Sequence, residues 1–351
     1  MADTIMSEAI FNSLKVQREA RGWSQDELAT RAQLSRSEVS AIETGRVTPS
    51  TAAAMKLARA LGVLVEQLFT LGEPEESSWS WDAAERRHFW RASVAGRMMR
   101  FPVERMATGA QVTDDAGGEA GDPHRTLVLA GCDPAVGLLT SELSGRGFRT
   151  LPFTRSSSAA LELLREKRVH LAGIHLGKNS SDNAAAVRRK LGAGYGLLHI
   201  ARWEEGLAVA PRVTAAERTI DAIVRSRIRW AGREEGSGAR RCSDQLLADA
   251  GRRAKPEGYD RAARDHDAVA EMIRSGWADA GVCVRYAAES AGLRFLTVQR
   301  EAYDLCYAVE FENDPRFAAL LAVLRSRRFT CSLAALPGYD VRGAGEIIST
   351  S

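Results

Sequence analysis

At 351 residues, with 45% apolar and 26% charged side chains, the chain has the make-up of a globular protein with more than one core. Its formal net charge of +3 points to no particular partner, and no apolar run approaches membrane-span length, which argues against a helical membrane protein. The start "MADTIMSEAI" lacks a basic stretch, an apolar core and a cleavage site, so a cytoplasmic protein with no membrane partner is expected. The five cysteines (Cys132, Cys242, Cys283, Cys306, Cys331) include no CxxC pair and no histidine at ligand spacing. Neither a disulfide framework nor a metal site is therefore expected.

Residues 8–70 are helical in rhythm, with short connectors at "RGW", "AQLS" and "TGRVTPS". Within "WSQDELATRAQLSRSEVSAIETG", Ser24 is placed to cap a helix and Glu27 to complete a capping box. Leu28, Ala29 and Ala32 form that helix's inner face. Gln33-Leu34 makes the turn, Ser35 caps a second helix anchored by Val39 and Ile42, and Gly45 ends it. Residues 1–70 carry eight Lys/Arg against eight Asp/Glu, so bulk charge does not announce DNA binding.

This motif resembles the phage-repressor-like helix-turn-helix family, over five helices from Ile10 to Phe69. The resemblance implies that the second helix of the motif enters the major groove with Arg36, Ser37, Ser40 and Ala41 facing the bases. It implies phosphate contacts from Gln25, Thr44 and Arg46. It also implies an internal ion pair between Arg18 and Glu43. Such domains bind two half-sites, so a homodimer or higher oligomer on double-stranded DNA is expected.

Residues 71–123 read as a linker, with acidic, small-residue stretches at "GEPEESSWSW" and "TGAQVTDDAGGEAGDP". Between them "RRHFWRASVAGRMMRFPVE" alternates around Ala95-Gly96 and predicts a β-hairpin. Residues 124–351 then alternate strands with helices. "RTLVLAG" precedes a helix from Pro134, and "GFRTLPF" precedes one from Ser157. "VHLAGIHL" suits a buried parallel strand, "IRWAG" leads to a helix after Gly238, and "DAGVCVRY" follows "DAVAEMIRSG". The pattern predicts an open, mostly parallel α/β sheet.

Four strand-to-helix junctions share one design. Gly131-Cys132-Asp133, Ser156-Ser157-Ser158, Ser237-Gly238-Ala239 and the segment opening at His266 all place helix starts at strand ends. Unpaired amides and the helix dipole there favour an anion, and ligands of open α/β sheets bind outside the carboxyl ends of strands. Each residue also has a plainer role open to it. The serines can be simple caps, His266 a cap or core residue, and Tyr303 the filling of a strand face.

The flow from "ALELLREKRVHLAGIHL" through "REEGSGARRCSDQLL", "SGWADAGVCVRYAAE" and "YDLCYAVE" to "LAALPGYD" resembles the molybdate-binding type of periplasmic substrate-binding protein. It is closer still to the cytosolic version fused behind a helix-turn-helix. That resemblance implies a type II, two-lobed α/β domain with two crossovers. Its ligand positions fall on Gly131, Cys132, Asp133, Ser156 to Ser158, Ser237, Gly238, Ala239, His266 and Tyr303. The implied effector is a small oxyanion of the molybdate or tungstate class. Cys132 is a weak donor for such an ion, and Asp133 must turn away to cap its own helix or else favour a protonated oxyanion.

The six histidines (His88, His124, His170, His175, His199, His266) show no triad or metal spacing, and GxxxxGK[ST] is absent. The expectation is a non-enzymatic regulator without a cofactor. An organic acid or other metabolite is the alternative effector. A redox switch through Cys132 and Cys242, both near helix starts, is the other reading.

Overall fold

A computed structural model describes residues 10–71, 78–80, 89–102, 122–213 and 219–350. Contacts divide it into two compact units, one built mainly from residues 10–102 and a larger one from residues 127–311 and 319–350.

In the smaller unit, β1 (Ile10–Asn12) is followed by α1 (Leu14–Ala20), α2 (Gln25–Ala32), α3 (Arg36–Glu43), α4 (Thr51–Leu61) and α5 (Val65–Leu68). The expected capping box forms, and the cap expected at Ser35 is a second one. Ser24 Oγ accepts from Glu27 N at 3.2 Å while Glu27 Oε2 accepts from Ser24 N at 2.7 Å. Ser35 and Glu38 repeat the exchange. Gln33 ends α2 in the left-handed region at φ 52°. Leu14, Leu28, Val39, Ile42, Leu57, Leu61 and Leu68 make the buried centre.

The helical rhythm expected from residue 8 to 70 fails at its edges. Ile10–Asn12 pairs antiparallel with β2 (Phe69–Leu71), because three-residue segments cannot propagate a helix but can satisfy each other's amides. The hairpin is present: β4 (Phe89–Val94) and β5 (Arg97–Pro102) join through Ala95 and Gly96, both with positive φ, after the short β3 (Ser78–Trp79). Two positive-φ residues match the twist of the flanking strands.

The larger unit holds β6 (Thr126–Gly131), α6 (Val136–Ser144), β7 (Arg149–Thr154), α7 (Ser157–Arg165), β8 (Leu171–Ile174), α8 (Ser180–Leu191) and β9 (Tyr195–Val209). It continues with α9 (Ile220–Arg225), β10 (Trp230–Arg233), α10 (Gly238–Asp249), β11 (Ala262–Ala263), α11 (His266–Arg274), β12 (Ala280–Val284), α12 (Arg285–Ser290) and β13 (Arg294–Ala308). The chain closes with α13 (Pro315–Leu324), α14 (Arg327–Ala334), β14 (Tyr339–Asp340) and β15 (Ile347–Ser349).

The strand order is β11-β10-β12-β9-β13-β8-β6-β7, with β14 and β15 added to β9. The expected parallel pairing holds in each half, between β6 and β8 and between β10 and both β11 and β12. The sheet as a whole is mixed, which corrects the mostly parallel expectation. β9 and β13, of 15 residues each, run antiparallel to one another from Tyr195↔Ala308 to Val209↔Arg294. At ~3.4 Å per residue each spans roughly 50 Å and crosses from one parallel half to the other. These are the two crossovers of a two-lobed α/β domain. Register shifts between Thr297 and Gln299 and between Tyr303 and Asp304 bracket Glu301. Bulges of this kind re-aim side chains beside sites. Among the described residues no helix is long and apolar enough to cross a membrane.

Candidate functional site

The helical unit offers one surface with the geometry of a groove reader. Arg36, Ser37, Thr44 and Arg46 are exposed on or just past α3, and Ser40 and Ala41 are half-buried on it. Arg36 Nε lies 3.6 Å from Asp26 Oδ2, a solvent-exposed pair that costs little to exchange for another partner. Thr44 Oγ1 donates to Ser40 O at 2.8 Å and accepts from Arg46 Nε at 3.1 Å. Gln25 is turned inward, its Nε2 donating to Glu43 Oε2 at 2.9 Å, so a phosphate contact requires it to leave that carboxylate. Arg18 and Glu43 form the expected internal pair, through Nε–Oε1 at 2.6 Å and Nη2–Oε2 at 3.1 Å.

In the larger unit the four junctions meet. Cys132 follows β6, and its Sγ lies 3.2 Å from His175 Nε2 and 3.7 Å from His266 Nε2. His175 follows β8, and its backbone N–H donates to Ser157 Oγ at 3.2 Å, joining the start of α7 to the cluster. A Cβ on Gly236 would lie 2.9 Å from Ser158 Cβ, so the loop before α10 sits against α7 as well. A Cβ on Gly238 would lie 2.5 Å from the His175 ring and 2.6 Å from its carbonyl oxygen. The close approach that this glycine permits is thus to His175, and the side chain occupies the space expected for a ligand.

Several expected ligand groups are already engaged. Ser237 Oγ accepts from Arg240 N at 3.1 Å and donates to Glu234 O at 2.9 Å, which spends its proton on the loop. A contact from this hydroxyl to an anion requires it to leave the Glu234 carbonyl. Ser156 caps α7 through Ala159 N, and Ala239, in the first turn of α10, is fully buried. Asp133 turns to its own helix, where Oδ1 accepts from Ala135 N at 2.9 Å and from Tyr339 Oη at 2.5 Å. Tyr303 stacks on Trp203 with centroids 4.6 Å apart, and its hydroxyl lies over Gly173 and Gly131, where a Cβ would collide with it. A cavity of about 30 Å³ remains beside Cys132, lined also by Asp133, Asp265, Asp267 and Tyr303. At the volume a water requires, it has room for roughly two waters.

Behind the junctions stands a second layer that the sequence did not single out. His175 Nδ1 lies 2.8 Å from Glu301 Oε2 and 4.0 Å from Glu205 Oε1. Gln299 Nε2 donates to Glu205 at 3.1 Å and to Glu301 at 2.9 Å, bridging the two carboxylates. Arg233, fully buried, places Nη1 3.3 Å from His266 Nδ1. Trp203 edges against both His175 and His266, at 5.0 and 5.6 Å. Burial, reinforced by Glu301, pushes Glu205 up to about 7, and burial pushes Glu301 up to about 7 as well. Burial, with Arg233 and His175, holds His266 well below the usual imidazole range, so it stays neutral. Burial also raises Asp133, and raises Asp267 to about 6.

Cys132, His175 and Glu301 therefore form one hydrogen-bonded line, although 43 and 126 residues separate its successive links. Chemically it can orient an imidazole, share a proton with a thiol or present soft donors to a cation. One sequence signal was available. "GIHL" ends an apolar strand at His175, the same position relative to its sheet as the four junctions that were singled out. Cys242 belongs to the packed core with Leu207, Trp230 and Val282, and burial pushes its thiol far up, which opposes a thiolate there.

The PBP superfamily domain matches residues 140–325, more than half of the chain. The chain belongs to the PBP superfamily. Ahead of that domain, a helix-turn-helix family matches residues 14–68, so a DNA-binding domain is fused to a PBP-like small-ligand domain. The uncharacterised protein YvgK of Bacillus subtilis is 28% identical over 232 residues, 65% of this chain and 75% of its own. An uncharacterised protein from the 5′ region of the ferredoxin 2Fe-2S gene of Clostridium pasteurianum is 33% identical over 98 residues. That match covers 26% of this chain and 83% of its own. Among solved structures, PhnD1 of Prochlorococcus marinus, in complex with methylphosphonate, is similar at 16% identity and TM-score 0.44, over 64% of this chain and 93% of its own. The tungstate ABC transporter of Geobacter sulfurreducens is similar at 14% and 0.45, over 59% and 98%.

Proposed function

We propose that this PBP-superfamily chain is a one-component transcription regulator. It binds operator DNA as a dimer through α3 and is controlled by a small oxyanion, of the molybdate or tungstate class, in the cleft between the two parallel halves. The observation that carries the reading is the meeting of the first turns of α7 and α10 at His175, in a chain that also holds a groove-reading helix. First-turn amides favour an anion, and the buried guanidinium of Arg233 adds positive charge next to them. Asp265 is engaged as the N-cap of α11, and Asp133 accepts from Ala135 N and Tyr339 Oη. The small cavity beside Cys132 fits a receptor that opens along β9 and β13 to admit its ligand. A cytoplasmic location follows from the DNA partner.

A metabolite that carries hydrogen-bond donors is the second reading. Asp133, Asp265 and Asp267 around the cavity favour it. Thermal melting of the full chain separates the two. At a hundred times its dissociation constant the effector should stabilise the protein by about 2.7 kcal/mol, a clear upward shift. A shift with molybdate or tungstate and none with small amino or hydroxy metabolites supports the oxyanion, and the reverse removes it.

On the DNA side, Arg36→Ala is expected to weaken binding to the preferred duplex by about 1–3 kcal/mol and to flatten sequence preference. Competition between preferred and scrambled duplexes checks this. An unchanged ratio of affinities would take Arg36 out of the readout.

A further inference from the structure

We propose that Cys132, His175 and His266 form a buried binding site for a zinc-class divalent cation. The inference deepens the effector reading of the same cleft and concerns a different ligand. The three donor atoms come from three separate strand-to-helix junctions and lie within 4.8 Å of one another. Metal–sulfur and metal–nitrogen bonds of about 2.3 and 2.0–2.1 Å put a tetrahedral sulfur–nitrogen edge near 3.6 Å. The two observed separations, 3.2 and 3.7 Å, bracket that value. A thiolate with two imidazoles is a donor set that prefers borderline or soft cations over calcium or magnesium.

The surroundings fit the same purpose. Glu301 accepts a hydrogen bond from His175 Nδ1–H and so leaves Nε2 free to face the thiol, the carboxylate–histidine arrangement that raises a ligand's basicity. Charge balances as well. A divalent cation with the Cys132 thiolate, Arg233, Glu205 and Glu301, all ionised, sums to zero in a buried space where an unbalanced charge is expensive.

His266 carries the cost. With Arg233 donating to Nδ1, its proton sits on Nε2, facing Cys132. Loading the cation releases that proton and the thiol proton. Nδ1 then takes a proton, and Arg233 swings to Arg264 O, now 3.5 Å away, and to Glu234. Three protein donors leave a fourth tetrahedral position for water or an anion, which is how the cation and an oxyanion effector can share the cleft.

The test is a cobalt titration of the full chain after chelation, with neither DNA nor oxyanion present. The expected result is a thiolate-to-cobalt charge-transfer band that saturates at one equivalent per chain and is displaced by zinc. The band should be absent in Cys132→Ser and kept in Cys331→Ser. In Glu301→Gln it should survive with affinity about 10–100-fold weaker. A folded wild type that develops no band overturns the site, and so does a band that persists in Cys132→Ser. Rapid alkylation of Cys132 in a chain that takes no cobalt would make it a nucleophile instead and equally overturn the site. If Cys132→Ser does not fold, the wild-type titration and Glu301→Gln decide. Failure of the titration leaves the DNA-binding reading of α3 intact.

Discussion

Arg18→Ala is expected to destabilise the helical unit by about 3–5 kcal/mol, enough to unfold many domains of this size. The Glu43 side chain is 2% exposed, and the guanidinium that holds it is 9% exposed. Removing the guanidinium leaves a buried carboxylate with the Gln25 amide as its remaining partner among the described residues, and also abandons the carbonyl of Trp23. The pair ties α1 to α3, so its loss frees the reading helix from its support. Urea unfolding of the full chain followed by circular dichroism should show an early helical transition in Arg18→Ala. Arg18→Met combined with Glu43→Leu should recover most of the loss, since apolar replacement of both partners removes the stranded charge. A loss below about 1 kcal/mol in the single variant would mean that the pair is solvated in solution.

Trp203→Ala should have an effect of similar size on the larger unit, about 3–5 kcal/mol. The indole is 1% exposed and lies on β9, where both halves meet. It stacks on Tyr303 and edges against His175, His266 and Tyr339. The void left behind would lie among the groups of the cleft, so stabilisation by any effector should vanish together with the stability. Trp203→Phe retains an aromatic face and should lose markedly less on both counts. Chemical denaturation with and without the effector reads both. A stable Trp203→Ala protein that still responds fully would detach this ring from the site.

Local rules made much of the fold legible. Ser24 with Glu27, and Ser35, announced two helix starts because capping is decided within four residues. Ala95-Gly96 announced a hairpin because left-handed backbone at both turn positions is a sequence-local demand. β9 and β13 were not legible as long antiparallel crossovers. Arg202, Glu204 and Glu205 interrupt the apolar pattern of β9, and its partner lies about a hundred residues away.

The site divides in the same way. Glycine and serine at strand ends marked three of the four junctions, yet spacing could not reveal that Glu301 reaches His175 or that Cys132 reaches His266. Ser237 shows the converse. A hydroxyl at a helix start reads as a donor for an anion, but spacing could not reveal that it donates to the neighbouring Glu234 carbonyl.

The central claim is that occupancy of the cleft sets the DNA affinity of α3. Fluorescence anisotropy of the full chain on a duplex selected from a random pool tests it most directly, with molybdate, tungstate, zinc and each oxyanion with zinc added in turn. The account predicts that at least one of these additions changes the dissociation constant by about 5–150-fold, the usual range of coupling between sites. It also predicts that Trp203→Ala abolishes the change. Identical affinity under every addition, in a wild type shown by melting to be occupied, would contradict it.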